Sequence, residues 1–186
     1  MRIAVTGAAG YIGSGLCRAF EARGWYVVRL TRSVRGAGER PFDLNTAAPP
    51  STDLFADVDG LVHCAWDFQP YSLNDIRRTN VEGARRLFEA ARDGGVRSIV
   101  HVSSMSAFAG CRSKYGQAKL ELEAILRELS GPGCVSVRPG LVYGGPGGGM
   151  TAALEKATRL PLVPVPGTGS VLYMTHLDAL CAAIAH

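Results

Sequence analysis

Short apolar runs alternate along the chain with longer stretches in which apolar residues recur at helical spacing. The runs are Ile3-Ala4-Val5, Trp25 to Leu30, Leu61 to Ala65, Ser98 to Val102 and Cys134 to Val137, with a shorter strand ending at Phe42-Asp43-Leu44. Each reads as a buried strand. Between them, Leu16, Ala19 and Phe20 share one face of a helix that Gly24 ends. Val81, Ala84, Leu87, Phe88 and Ala91 share a face of a long helix from Asn74 to Arg92, with arginines opposite and Gly94-Gly95 as its stop. Lys114 to Leu129 reads as a helix closed by Gly131-Pro132-Gly133, with Glu121, Glu123 and Glu128 on its wet face. The stretch 36–56 reads mostly as loop. Beyond the last run come a glycine run from Gly144 to Gly149, a short helix from Thr151 to Arg159, a Pro-broken extended segment from Leu160 to Pro166, a turn at Gly167-Thr168-Gly169, a short strand at Val171 to Met174 and a terminal helix from Leu177 to Ala185. Strands that alternate with helices call for a parallel sheet covered on both faces: an α/β, doubly wound architecture.

Composition narrows this. At 186 residues, 47% hydrophobic and 19% charged, the chain fits one domain, or one with a small appendage, and buries a full core. Its net charge of +4 is mild and its arginines are scattered, so nucleic acid is not expected as a partner. No apolar run spans a membrane, and the first strand begins at once, leaving no room for a signal peptide; a cytoplasmic protein is expected. Cys17, Cys64, Cys111, Cys134 and Cys181 stand far apart without metal or disulfide spacing, so they are expected as free thiols, and no metal site is expected. His63, in a buried strand, is expected to be a core residue and not a ligand.

The chemistry lies in the turns. Gly7, Gly10 and Gly13 follow the first strand and open the first helix, the context of a dinucleotide fingerprint. Gly7 permits the tight turn, Gly10 lets a pyrophosphate approach the backbone, and Gly13 lets helix press on strand. The helix N-terminus then faces the phosphates. The second strand ends in Thr31-Arg32, where an acidic residue would bind the ribose hydroxyls. Arg32, with Arg35 as a second contact, can fork onto a 2′-phosphate, which favours NADP(H) over NAD(H). Asp43 stands where a carboxylate can accept from an adenine amino group. Asn80 is an amide among apolar helix positions, so it needs partners. Tyr115 and Lys119 are four apart on one helix and share a face. An ammonium beside a phenol favours the phenolate, so Lys119 is expected to lower the pKa of Tyr115. The upstream serines 103, 104 and 106 end a parallel strand, where a hydroxyl can hold a substrate oxygen.

These stretches, VTGAAGYIG at 5–13, NVEG at 80–83, HVSS at 101–104, YGQAK at 115–119, RPGLVYG at 138–144 and THLDAL at 175–180, resemble the extended short-chain dehydrogenase/reductase superfamily, in its NAD(P)-dependent epimerase/dehydratase branch. The resemblance covers nearly the whole chain. It implies a Rossmann-type domain over 1–143 and a short, truncated C-terminal substrate-side segment over 144–186. It implies that Tyr115 is the acid–base residue, that Lys119 tunes it and holds the nicotinamide ribose, and that Ser104 polarises the substrate, with Ser103 or Ser106 as alternatives. Asn80 resembles the asparagine that supports the active-site helix. Tyr11, Ile12 and Pro139 join Gly7, Gly10, Gly13, Arg32 and Lys119 as cofactor contacts, with Asp43 and Leu44 at the adenine and Ala65 under the adenosine. Two departures stand out: Ser104 lies one residue further from Gly110 than the S-x-x-V-Y-G register, and Phe108-Ala109 replaces its Val-Tyr. The implied function is an oxidoreductase, epimerase or dehydratase acting at a carbinol or ketone carbon of a small substrate, such as a sugar nucleotide or secondary metabolite. A redox-neutral isomerase or cyclase and a non-catalytic NADP-binding sensor or scaffold are the alternatives. The helices 74–92 and 114–129 are expected to pair across a two-fold axis as a four-helix bundle, giving a homodimer.

Overall fold

The computed structural model describes residues 1–129, 133–145 and 171–186. Six strands, β1 (Arg2–Thr6), β2 (Tyr26–Thr31), β3 (Glu39–Pro41), β4 (Gly60–His63), β5 (Ser98–Val102) and β6 (Cys134–Val137), form one sheet in the order β3-β2-β1-β4-β5-β6. Every pairing in it is parallel. The side-chain period of two divides the strands between two cores. Ala4, Val28, Leu30, Leu61 and Ile99 face α3 (Glu82–Asp93) and α4 (Lys114–Leu129), meeting Leu87, Phe88, Leu122 and Leu126. Ile3, Val5, Val27, Val62 and Val102 face α1 (Tyr11–Glu21) and α5 (Leu177–Ile184), meeting Leu16, Phe20, Leu177 and Leu180. The sheet is thus doubly wound. A short parallel pair, β7 (Leu141–Tyr143) with β8 (Met174–His176), leads into α5, whose N-cap is His176, its Nδ1 accepting the Asp178 N–H at 3.3 Å.

Four elements differ from the sequence reading. The second strand begins at Tyr26 because Trp25 stacks on Phe20 at the end of α1, with ring centroids 5.4 Å apart. The third strand is Glu39–Pro41 and not 42–44; Phe42 and Leu44 are buried plugs beneath the sheet edge, which is what their apolar spacing reflects. The long helix is composite: α2 (Leu73–Ile76), a π-helical turn Arg77–Val81, then α3. The strand expected at 171–174 forms at Met174–His176, while Val171, Leu172 and Tyr173 are exposed and the Tyr173 carbonyl accepts the Leu141 N–H at 2.8 Å. The expected helix 151–159, extended segment 160–166 and turn 167–169, with most of the glycine run, lie outside the described residues.

The α3 side of the sheet holds two fully buried imidazoles. His63 and His101 are register partners on β4 and β5, their rings 5.6 Å apart, and both pack on Phe88. Burial lowers His63 to about 3 and His101 well below the usual histidine value, the Lys119 ammonium adding to both shifts. Neither ring nitrogen of His101 meets a partner of normal geometry among the described residues. The native state therefore holds both rings neutral, whereas the unfolded chain protonates them below its own pKa of about 6.5. As pH falls below that value the unfolded state binds the extra protons and gains, so stability falls by about 1.4 kcal/mol per pH unit for each such histidine. Urea unfolding at pH 7.5 and pH 5.0 is expected to show this loss. His101→Leu removes two unpaired polar atoms and one buried base, so it is expected to flatten the slope and to be more stable than the parent at pH 5.0.

Candidate functional site

The site starts from a threonine. Thr6, the last residue of β1, is fully buried. Its Oγ1 accepts the Cys64 and Ala65 N–H groups, both at 3.1 Å, and lies 2.8 Å from His63 Nδ1. With both lone pairs taken, the hydroxyl proton goes to Nδ1, which assigns His63 as the Nε2–H tautomer. One side chain thus ties the end of β1 to the loop that leaves β4. Gly7 follows with φ +65°, and a Cβ on it would stand 2.9 Å from the Ala65 nitrogen. A Cβ on Gly13 would stand 2.1 Å from the Gly7 carbonyl oxygen, so α1 sits on the turn at a distance only glycine allows. Gly10 caps α1 without a side-chain hydrogen bond, leaving the helix N-terminus to whatever lies in front of it.

In front of it is a cleft of about 340 Å³ at the carboxyl ends of β1, β2, β3 and β4. Gly7, Gly10, Arg32, Asp43, Leu44 and Ala65 all line it, together with Trp66 and Asp67, which sequence reasoning did not single out. Arg32 is exposed and forms no ion pair among the described residues. The Asp43 carboxylate accepts the Asn45 N–H at 3.0 Å, and Asn45 Nδ2 reaches Asp67 at 3.2 Å, so the rim is cross-tied. Tyr11, Ile12 and Pro139 are not part of this lining: the Tyr11 hydroxyl donates to the Gly144 carbonyl, Ile12 packs on the α1–α5 core, and the Pro139 carbonyl accepts the Met105 N–H at 3.1 Å beside the serine loop. A glycine turn that excludes Cβ atoms, an open helix N-terminus and a carboxylate beyond them fit a dinucleotide.

Beside the cleft the structure brings Ser104, Tyr115 and Lys119 together. Ser104 stands close enough to the Tyr115 phenol to oppose the effect of burial on it, and its Oγ accepts the Ser106 N–H at 3.1 Å. Ser103 faces elsewhere: it is buried and donates to Glu123 at 2.6 Å. Arg138 also grips Glu123, with Nε 2.7 Å from Oε1; burial pushes the Glu123 carboxyl up, but the Arg138 and Ser103 bonds outweigh it and hold it below its usual range. Gly116 lets α4 meet the serine loop, since a Cβ there would stand 2.2 Å from the Ser106 carbonyl oxygen.

One expectation is corrected. The ammonium of Lys119 does not depress Tyr115. Lys119 is 3% exposed; its Nζ donates to the Val102 carbonyl at 2.8 Å and lies over the Trp66 ring, 4.4 Å from its centroid and 5.8 Å from that of Tyr115. Burial lowers Lys119 to about 7. Burial likewise raises the Tyr115 phenol above its ordinary value, Ser104 opposing it. Desolvation is the first cause of both shifts. Asn80 sits in the π-helical turn, its Oδ1 accepting the Asp67 N–H at 2.7 Å and its Nδ2 donating to the Asp67 carbonyl at 3.0 Å, so its amide ties the loop after β4 to that turn. Tyr115 is flanked by Trp66, edge-on at 5.0 Å, and by Phe68, stacked at 6.3 Å and 80% exposed. The sequence signal for this pair was there in W-x-F directly after a buried strand. No cluster of metal-ligating side chains occurs among the described residues, and none of the described helices is long and apolar enough to cross a membrane.

Residues 3–172 match the NAD dependent epimerase/dehydratase family. The chain is 33% identical over 195 residues to a ceramide reductase of Caulobacter vibrioides, covering 98% of this chain and 59% of that protein. It is 31% identical to a 4-hydroxy-2-methyl-3-oxo-4-farnesyl-3,4-dihydroquinoline-1-oxide ketoreductase of Stigmatella aurantiaca, covering 77% of this chain and 51% of that one. It therefore spans little more than half the length of these curated relatives. Among solved structures it superposes on MoeE5 in complex with UDP-glucose and NAD with a TM-score of 0.79 at 27% identity, over 99% of this chain and 70% of that one. It shares its fold with the human epimerase family protein SDR39U1, solved with NADPH, at a TM-score of 0.77 and 22% identity, over 99% of this chain and 68% of that one. With the glycine turn, the cleft and the Ser104–Tyr115–Lys119 group all lying inside the matched span, the chain belongs to the NAD dependent epimerase/dehydratase family.

Proposed function

We propose that this chain carries the dinucleotide-binding and acid–base parts of an NADP(H)-preferring enzyme that interconverts a carbonyl and a carbinol in a small organic substrate. The observation that supports it most is the adjacency of the cleft to Tyr115 and Lys119, with Trp66 lining the one and touching both of the others. The reductase names of two relatives support the same reading.

In this reading Arg32, Asp43-Leu44 and Ala65 would hold the adenosine half of the cofactor, and Gly7 and Gly10 its diphosphate. The bound nicotinamide supplies or takes up hydride at the reacting carbon. Ser104 and Tyr115 share the substrate oxygen: the serine hydroxyl donates to it, and the phenol passes it a proton on reduction or accepts one on oxidation. The raised pKa of Tyr115 keeps it protonated at neutral pH, which suits the reductive direction. Lys119, near neutrality and in the same pocket as the phenol, would hold the nicotinamide ribose of a bound cofactor. A second reading, redox-neutral epimerisation with the hydride returned to the same substrate, draws on 31% identity to a UDP-glucose 4-epimerase of Mycolicibacterium smegmatis. Net oxidation of NADPH in turnover separates the two.

Two variants test the reading. Tyr115→Phe is expected to lower kcat by roughly 10²- to 10⁴-fold, the usual worth of a positioned acid, with cofactor Kd unchanged by fluorescence titration. Full activity in that variant rules out the phenol as the acid. Arg32→Ala is expected to weaken NADPH about tenfold or more while leaving NADH unchanged, because only the former offers a phosphate to the guanidinium. Equal loss for both cofactors defeats the NADP(H) preference.

A further inference from the structure

We propose that Trp66 is a positioning residue for the acid–base pair: its indole, packed on the Lys119 ammonium and against the Tyr115 ring, fixes both groups and closes the ammonium off from water at the end of the cleft. The proposal rests on the reading of Tyr115 and Lys119 as that pair.

Three observations carry it. The backbone around Trp66 is clamped on both sides, by Thr6 Oγ1 at the Cys64 and Ala65 N–H groups and by Asn80 at both the N–H and the carbonyl of Asp67. The indole therefore has a fixed origin. It reaches two functional groups at once, with Lys119 Nζ 4.4 Å from its centroid and the Tyr115 ring at 5.0 Å in edge-to-face geometry. Finally, Lys119 forms no salt bridge among the described residues, and Glu123 acts on it only through space. The titratable groups around it are Cys64 and His63 on the β4 side, His101 on β5, and Tyr115 and Glu123 on α4. The Cys64 thiol is pushed up to about 12 by burial and stays neutral, as do both imidazoles and the phenol. Glu123 is ionised, but its oxygens are taken by Arg138 and Ser103. The ammonium is left with the Val102 carbonyl and the face of Trp66.

Two effects of the ring oppose each other. The π face attracts the cation, whereas the ring's bulk keeps out water that would solvate it far better. Lys119 is almost wholly buried with the indole lying 4.4 Å from its ammonium, and burial brings it down to about 7. Opening that cover to water is expected to raise the lysine toward its ordinary value.

The chain has two tryptophans and three lysines, Lys114, Lys119 and Lys156, so both sides of the contact are observable without turnover. In a Trp25→Phe variant Trp66 is the sole indole. Its emission is expected to titrate with a midpoint near 7 and to lose that transition on adding Lys119→Met. NMR of ¹³Cε-labelled lysine is expected to show one lysine titrating near 7 in the parent and in Trp66→Phe, and rising by about two pH units or more in Trp66→Leu. Emission that stays flat through neutrality, or a Lys119 midpoint unmoved in Trp66→Leu, overturns the proposal; should Trp66→Leu not fold, the emission titration alone decides. A shifted lysine alongside a fully active Tyr115→Phe would sustain the role of Trp66 and defeat the proposed reaction instead.

Discussion

One buried hydroxyl joins the two halves of the site. Thr6 ends the strand that feeds the glycine turn, and it bonds the first two backbone amides beyond β4. Parallel strands leave such amides without a ladder partner where the sheet stops, and a buried amide left unpaired costs about 1–3 kcal/mol. A hydroxyl solves this with two lone pairs and spends its proton on His63, so all three of its bonds are committed. The glycine turn and the loop after β4 are thereby set at one fixed separation. Gly7 depends on it directly, since its α-carbon passes the Ala65 backbone with no room for a side chain. The cleft is the space left between two loops that a threonine has locked together.

Much of this was legible in the sequence. Each apolar run marked a strand, and their alternation with helical periods gave the parallel, doubly wound sheet, because a strand buried on both faces has little choice but to be apolar throughout. The glycine spacing, Arg32, Asp43, Leu44 and Ala65 were legible as parts of one cleft. The pattern failed where tertiary contacts decide. Phe42 and Leu44 carry strand-like alternation, yet they are plugs under the edge, with pairing taken by Glu39–Pro41. The helical period through Asn74–Arg92 hides a π-helical turn, because one extra residue in a turn barely disturbs the apolar stripe on either side. The three serines of the loop look alike in sequence; only packing separates Ser103, spent on Glu123, from Ser104, beside Tyr115.

The tyrosine–lysine pair shows that a spacing rule gives proximity and leaves the electrostatics to the surroundings. Two groups four apart on a helix do share a face, but whether an ammonium lowers a phenol's pKa depends on distance and on what else surrounds both. Lys119 lies deep, bonded to a strand carbonyl, with an indole on it. Its own charge is therefore expensive, and it cannot be lent to a neighbour at no loss. Burial brings the Lys119 ammonium down to about 7 and pushes the Tyr115 phenol up.

The π-helical turn explains how the rest of this arrangement is held. A regular helix through residues 77–81 would advance Asn80 by a fraction of a turn and swing its amide away from the loop it serves. With the extra residue, Asn80 meets the Asp67 backbone with donor and acceptor together, the pairing a strand would otherwise have provided. Thr79 of the same turn donates to Asn45 at 3.1 Å, and Arg77 grips Glu121 of α4. One irregular turn thus reaches the β4 loop, the Asn45 rim of the cleft and α4. Irregular helical turns cost stability and persist where such contacts compensate them. Here the compensation is a loop stiff enough to carry Trp66 without support from the sheet.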